Sequence, residues 1–263
     1  MLIESLRTAE RPFESWQLQG LEQAPAILFS SIPSTNRWLR ENASQCEPGT
    51  IVLANSQESG RGRFDRIWRS PPDRNLYFSL LLQPDEIPVL AWPHLTQVAA
   101  ITLAQFYAEL GVEAHVKWPN DILWNKHKMC GILSERVSLG EGHALVLGMG
   151  ININSDESDF AGLDRLAASL SMVLGFPLNR EVFLCEFLFR LQRSFNSFAN
   201  TGIAPWLEEW RAMKNFVGSS ARVVQIDKTI HGTIAGIRDD GSLLFTPQGE
   251  AESIVVYSGD LEV

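Results

Sequence analysis

"SGRGRFDRIWRSPPDRNLYFSLLL", residues 59–82, changes character halfway, and each half governs a different part of the reading. The second half continues through Gln83 as "NLYFSLLLQ", apolar and aromatic on both faces, which predicts a strand in the interior of a sheet. The first half holds Arg61, Arg63, Arg66, Arg69 and Arg74 against Asp65 and Asp73, a local net charge of +3 in a chain whose overall charge is -9. Gly60 and Gly62 let the backbone come close to a ligand and turn its amides toward an anion. The spacing is neither that of a phosphate-binding GxxxxGK[ST] loop nor that of a GxGxxG turn opening a helix. On its own such a loop has at least even odds of being solvated surface, so its neighbours decide the reading.

Outward from that strand, "AILFSSIPSTNRWLRENA" predicts a short strand, a polar turn and a helix capped by Ser34 or Thr35. "TIVLANSQESG" predicts a buried strand leading into a polar loop. "AWPHLTQVAAITLAQFYAELG" carries Leu95, Val98, Ala99, Thr102, Phe106 and Leu110 at helical spacing and closes at Gly111, the pattern of a helix lying on the sheet. "AHVKWPNDILWNKHKMCGILSER" predicts two strands joined at "NKH", and "HALVLGMGININ" a further strand with glycines near its end. "NREVFLCEFLFRLQRSFNSFAN" is a long amphipathic helix with Phe183, Phe187, Leu191, Phe195 and Phe198 on one stripe, a core stripe rather than a binding surface. From about Val217 the texture shifts to short alternating strands, with "DDG" as a hairpin turn, which predicts a small β-barrel. The expected fold is α/β (α+β), with a larger domain over 1–215 and a small barrel domain over 216–263.

The 263 residues suffice for a large core, and 45% hydrophobic with 20% charged residues excludes disorder as the main theme. No basic stretch followed by an apolar run opens the chain, and no run of about 18 apolar residues occurs, so a cytoplasmic protein is expected, without a membrane partner. Cys46, Cys130 and Cys185 are an odd count without CxxC spacing, which favours small buried side chains over disulfides or zinc. The acidic balance argues against general nucleic-acid binding, which rests on neutralising phosphates. The arginine loop then serves a smaller anion.

Three further stretches bear on that anion. "KWPNDIL", residues 117–123, sets a cation, an amide and a carboxylate around one bend. A lysine is most often solvated, but Val116 and Trp118 flank Lys117 and hold it in packed structure. Asp121 reads first as a turn-former, and Asn120 is open between turn and ligand. "LGMGININ", residues 147–154, removes side chains at Gly148 and Gly150 from one face of a strand, for a flat ligand or for close packing. Asn152 points the same way, toward phosphate or magnesium-bound water. Ser34, Thr35, Asn36 and Gln57 offer uncharged hydrogen-bonding groups that suit an amide or ureido ring, or simply cap and fill a loop.

Taken in order, "STN", "GRGR" with its Trp68 and "NLYFSLLL", "KWPNDIL" followed by Lys128 and "CGIL", and "LGMGININ" resemble the biotin protein ligases, closely over about residues 28–155 and more loosely beyond. The resemblance implies a catalytic domain like that of class II aminoacyl-tRNA synthetases, with a mixed sheet and a small SH3-like barrel after it. It also implies a reaction: ATP and biotin give biotinyl-5'-AMP and pyrophosphate, and a lysine of a biotin carboxyl carrier domain then takes the biotinyl group. On that resemblance Arg63 and Lys117 are the catalytic candidates. Ser34, Thr35, Asn36, Gln57, Arg61, Gly62, Arg63, Lys117, Gly148 and Gly150 are those for biotin. Arg63, Arg66, Trp68, Asn120, Lys128 and Asn152 are those for ATP, with Trp68 over the adenine and Asn152 near Mg²⁺.

Phe64 and Asp65 depart from the family's GRGRxGRxW, and no basic residue follows the last strand, which weakens the expectation that the small domain touches the phosphates. Only about 27 residues precede the first strand, so no DNA-reading module and no repressor role are expected. A homodimer is compatible with the resemblance. The alternatives are a lipoate-type ligase of the same superfamily, which the "GRGR" and "KWPND" pair disfavours, and a non-catalytic ligand- or nucleic-acid-binding module.

Overall fold

A computed structural model describes residues 2–18, 25–140, 142–213 and 216–263, without the side chain of Asp65. In chain order the elements are α1 (Leu2–Leu6), β1 (Ala26–Phe29), α2 (Thr35–Asn42), β2 (Ile51–Ala54), β3 (Leu76–Leu82), α3 (Trp92–Glu109), β4 (His115–Lys117), β5 (Asp121–Trp124), β6 (His127–Leu139), β7 (Gly142–Ile151), α4 (Leu170–Leu174), α5 (Arg180–Thr201) and α6 (Ala204–Ala212). β8 (Ser220–Val224), β9 (Thr229–Ile237), β10 (Leu243–Pro247), β11 (Ile254–Val256) and β12 (Asp260–Glu262) follow. The first seven strands form one sheet in the order β1-β2-β3-β7-β6-β5-β4, and the last five a second in the order β11-β10-β9-β8-β12. β1 and β2 run parallel and the other pairs of the large sheet antiparallel, so that sheet is mixed, while the small one is antiparallel throughout. The boundary expected at 215/216 adjoins residues 214–215, which lie outside the described residues.

β3 lies between β2 and β7 with Leu76, Tyr77, Phe78, Leu80 and Leu81 all buried, the interior position its two-faced apolar sequence predicts. Alternation along β7 then assigns the two faces of the sheet. Leu145, Leu147, Met149 and Ile151 enter the main core with α3 and α5, while Ala144 and Val146 pack with Leu39 and Ala43 on the other side. Gly148, beneath Asn36 at the start of α2, and Gly150 continue this second face and line a cavity. The main core binds α3 to α5 through rings such as Phe106 and Phe183, whose centroids lie 4.8 Å apart. α3 is buried on nearly every side rather than along one stripe, because α5 and α6 cover what the sheet does not. On α5, Phe183, Phe187, Leu191 and Phe198 are buried and Phe195 half-buried, the stripe read from the sequence.

The segment 115–139 makes three strands, not the two that its pattern predicts. β4 stops at Lys117, the chain turns through Trp118, a cis Pro119 and Asn120, and β5 begins at Asp121. Asn125 and Lys126, both at positive φ, then turn β5 into β6. The break after Lys117 comes from Pro119, which has no N–H to give a ladder. No helix among the described residues is long and apolar enough to cross a membrane. The three cysteines are unpaired, Cys130 fully buried and Cys46 and Cys185 half-buried.

Candidate active site

The open face of the large sheet carries a cavity of about 1060 Å³ bounded by α2, the arginine loop, the ends of β4 to β7 and the last strand of the small sheet. The residues assigned on the resemblance to biotin, ATP and catalysis line it: Ser34, Thr35, Asn36, Gln57, Arg61, Gly62, Arg63, Arg66, Trp68, Lys117, Asn120, Lys128, Gly148, Gly150 and Asn152.

One end is neutral and internally bonded. Ser34 caps α2 by accepting from the Arg37 amide. The Thr35 amide and hydroxyl both donate to Gln57 Oε1, at 2.9 and 3.2 Å, and Gln57 Nε2 donates to Ser70 at 3.0 Å. Buried Ser79 on β3 stands 2.8 Å from Thr35 Oγ1 and 2.6 Å from Asn36 Oδ1. Asn36 Nδ2 donates to the Leu133 carbonyl and to Glu135. A methyl group on Gly148 would fall 1.8 Å from Asn36 Oδ1, so this glycine makes room for Asn36. A methyl on Gly150 would fall 2.4 Å from the Trp68 ring, and one on Gly131, its partner across β6 and β7, 3.0 Å from the same ring. Both glycines of "LGMG" therefore serve side-chain packing, and the indole packs close against the backbone at Gly150 and Gly131. Lys128 Nζ lies 5.3 Å from the Trp68 ring centre, and Trp68 Nε1 is buried without a partner.

The other end is ionic. Lys117 is buried, with Nζ 2.9 Å from one oxygen of Asp121, while Lys128 Nζ is 2.7 Å from the other. Burial would push the Asp121 carboxyl up, but Lys128 and Lys117 together hold it well below the usual carboxylate range. Burial pushes the Lys117 ammonium below an ordinary lysine, and Asp121 is the main force holding it up. Asp121, read from the sequence as a turn-former, is thus an ionic hub. Its signal was the Lys117-to-Asp121 spacing across one bend, which left the partners unspecified.

Three of the residues expected at the nucleotide line the cavity while bonded to the protein's own groups. Arg66, expected at the nucleotide, has its guanidinium on Asp260 and, at 2.9 Å, on Glu262 of β12. Asn120 donates its side-chain amide to the Ile132 carbonyl and braces β5 on β6. Asn152, expected near Mg²⁺, donates its side-chain amide to the Lys128 and Ala168 carbonyls and ties two segments together. The sequence leaves open whether the small sheet reaches the nucleotide; Asp260 and Glu262 of that sheet line the cavity, with Arg165 donating to both at 3.2 and 2.8 Å. These are acids where the sequence reading sought a base. Their alternate positions on β12 put them on one face, but sequence does not reveal what that face meets.

Residues 28–152 match the Biotin/lipoate A/B protein ligase family. The chain is 34% identical over 236 residues to the bifunctional ligase/repressor BirA of Bacillus spizizenii, covering 88% of this chain and 72% of that protein. It is 31% identical over 227 residues to the biotin--[acetyl-CoA-carboxylase] ligase of Paracoccus denitrificans, covering 82% and 92%. The fold is similar to that of a biotin protein ligase from Aquifex aeolicus solved with biotin and ATP, with a TM-score of 0.76, 25% identity, and coverage of 90% of this chain and 97% of that one.

Proposed function

Since the chain belongs to the Biotin/lipoate A/B protein ligase family, we propose that it joins biotin to ATP as biotinyl-5'-AMP and passes the biotinyl group to a lysine of a biotin carboxyl carrier domain. One observation carries the reading: a single cavity has a neutral, hydrogen-bonding end at Thr35 and Gln57 and a cationic end at Lys117, Lys128 and Arg63. Biotin has the same polarity, a neutral ureido ring at one end and a carboxylate at the other.

In the first step a carboxylate oxygen bonds to the α-phosphorus and the bond to pyrophosphate breaks. Two anions must meet, and at an effective dielectric near 20 each unit charge 4 Å away is worth about 4 kcal/mol. Lys117 and Arg63 supply positive charge at that point, Lys117 from a buried position where it is little screened. Trp68, packed against Gly131 and Gly150, offers an aromatic ring to the nucleotide base, and the arginine loop keeps water from the mixed anhydride. In the second step the acceptor amine bonds to the acyl carbon and AMP leaves. Much of the gain is positional, up to roughly 7–11 kcal/mol for well-held reactants.

Among the described residues no cluster of three or more His, Cys, Asp or Glu side chains could hold a metal, and Asp121 is occupied by two lysines. We therefore propose magnesium only as the companion of ATP's phosphates, and assign it no step. We propose a cytoplasmic ligase, and the net charge of -9 favours one that works without binding nucleic acid.

The test is labelling of a biotin carboxyl carrier domain in the presence of ATP. Incorporation of biotin and not of lipoate is the expected result; incorporation of lipoate alone would overturn the substrate assignment. Arg63→Ala should weaken biotin binding and let adenylate escape, measured as free biotinyl-AMP in solution; unchanged retention would count against a closing loop.

A further inference from the structure

The arginine loop is a tight hairpin, with the Gly62 amide bonded to the Arg66 carbonyl at 2.7 Å and the Trp68 amide to Gly60 at 2.8 Å. Its tip carries Phe64 at φ +54° and 41% exposed, and Ile67 at 82% exposed. Such a tip has little apolar contact to hold it down. Arg69, at the base of the loop, donates to the Ala161 and Gly162 carbonyls, while two arginines nearer the tip, Arg63 and Arg66, reach the small sheet. Arg63 Nη1 donates to the Gly259 carbonyl at 2.8 Å, and Arg66 binds Asp260 and Glu262.

β12 is built to hold that position. Leu261, between the two acids, is buried in the core, and the ladder with β8 sets Asp260 opposite Val224 and Glu262 opposite Arg222. Arg222 and Arg165 also bind Glu262, so the carboxylate is held from several sides. Asp260 is 4% exposed and lies 3.6 Å from Lys117 Nζ. A bidentate set of charged hydrogen bonds that is partly desolvated is worth more than an exposed ion pair.

We propose that Asp260 and Glu262 are positioning residues for the adenylation step: through Arg66 they fasten the arginine loop over the cavity, so that the small sheet sets how long the loop stays shut. The proposal rests on the ligase reading for its consequence, but the clamp is measurable without substrate. The lifetime of the closed loop then governs how long biotinyl-AMP is kept from water.

The experiment compares the full chain with Glu262→Gln, Asp260→Asn and Glu262→Asp. Asp239→Asn is the control, since it weakens a different, exposed junction of the same sheet with Arg211. Amide hydrogen exchange at residues 60–68 is read in the ligand-free protein, and the lifetime of bound biotinyl-AMP after its formation. Glu262→Gln and Asp260→Asn should exchange roughly tenfold faster at the loop and shorten the adenylate lifetime by a similar factor, a loss of order one charged hydrogen bond. Glu262→Asp should recover part of both, and Asp239→Asn should leave both unchanged. Loop exchange equal to the parent protein in both clamp variants, or equal acceleration in Asp239→Asn, would overturn the clamp. Failure of the parent protein to form biotinyl-AMP would instead remove the ligase reading, with ligand-free exchange still deciding the clamp.

Discussion

At Lys117 the charge proposed to act in adenylation depends on a neighbour. Burial lowers the pKa of this ammonium and Asp121, 2.9 Å away, works against that. Replacing the carboxylate by an amide removes the raising influence, so Lys117 should lose its proton at lower pH. Asp121→Asn is expected to move the alkaline limb of the adenylation pH profile downward; a limb that stays in place would show that Lys117 does not titrate in the step. The same change leaves buried Lys117 with only the more distant Asp260, at 3.6 Å, and should cost about 3 kcal/mol of stability, read by denaturant unfolding. The two readouts separate charge tuning from loss of structure.

Among the elements, β7 carries the sharpest steric claims. Asn36, the side chain that a methyl on Gly148 would strike, is pinned by Ser79, Leu133 and Glu135 and has nowhere to go. Gly148→Ala should destabilise the protein by about 1–3 kcal/mol, seen as a lower thermal midpoint. Gly150→Ala would push on the ring of Trp68, which is half-buried on the arginine loop, and displace it from the strands. Its thermal midpoint should move little while ATP binding weakens more than tenfold, measured by calorimetry; intact ATP affinity would argue against a base on that indole. The alternating glycines, the interior strand at Leu76 to Leu82 and the stripe of α5 were legible because each repeats with the period of its element. What the glycines make room for was not, since Asn36 and Trp68 reach them from distant parts of the chain. The segment from Leu2 to Leu18 was also opaque. Leu6, Phe13, Trp16 and Leu18 are buried at irregular intervals, and Glu10 pairs with buried Arg180, a pattern that tertiary packing alone explains.

Across the whole molecule, the small sheet meets the site through Gly241 as well as through β12. The Gly241 carbonyl accepts from Gln97 Nε2 at 2.9 Å and from Trp118 Nε1 at 3.2 Å, the residue next to Lys117, and β12 meets the arginine loop. Trp118→Phe should therefore cost about 1–2 kcal/mol, and should reduce the adenylation rate along with it; a stability loss with an unchanged rate would confine Trp118 to packing. Sequence reading separated the two sheets by texture but left them unconnected, because ion pairs such as Lys117 with Asp260 join residues far apart in the chain. The most direct test of the account is exchange of labelled pyrophosphate into ATP, with and without biotin, in the parent protein and in Lys117→Ala. The account predicts exchange that requires biotin and nearly vanishes in a folded Lys117→Ala protein. Exchange that proceeds without biotin, or persists undiminished in that variant, would contradict it.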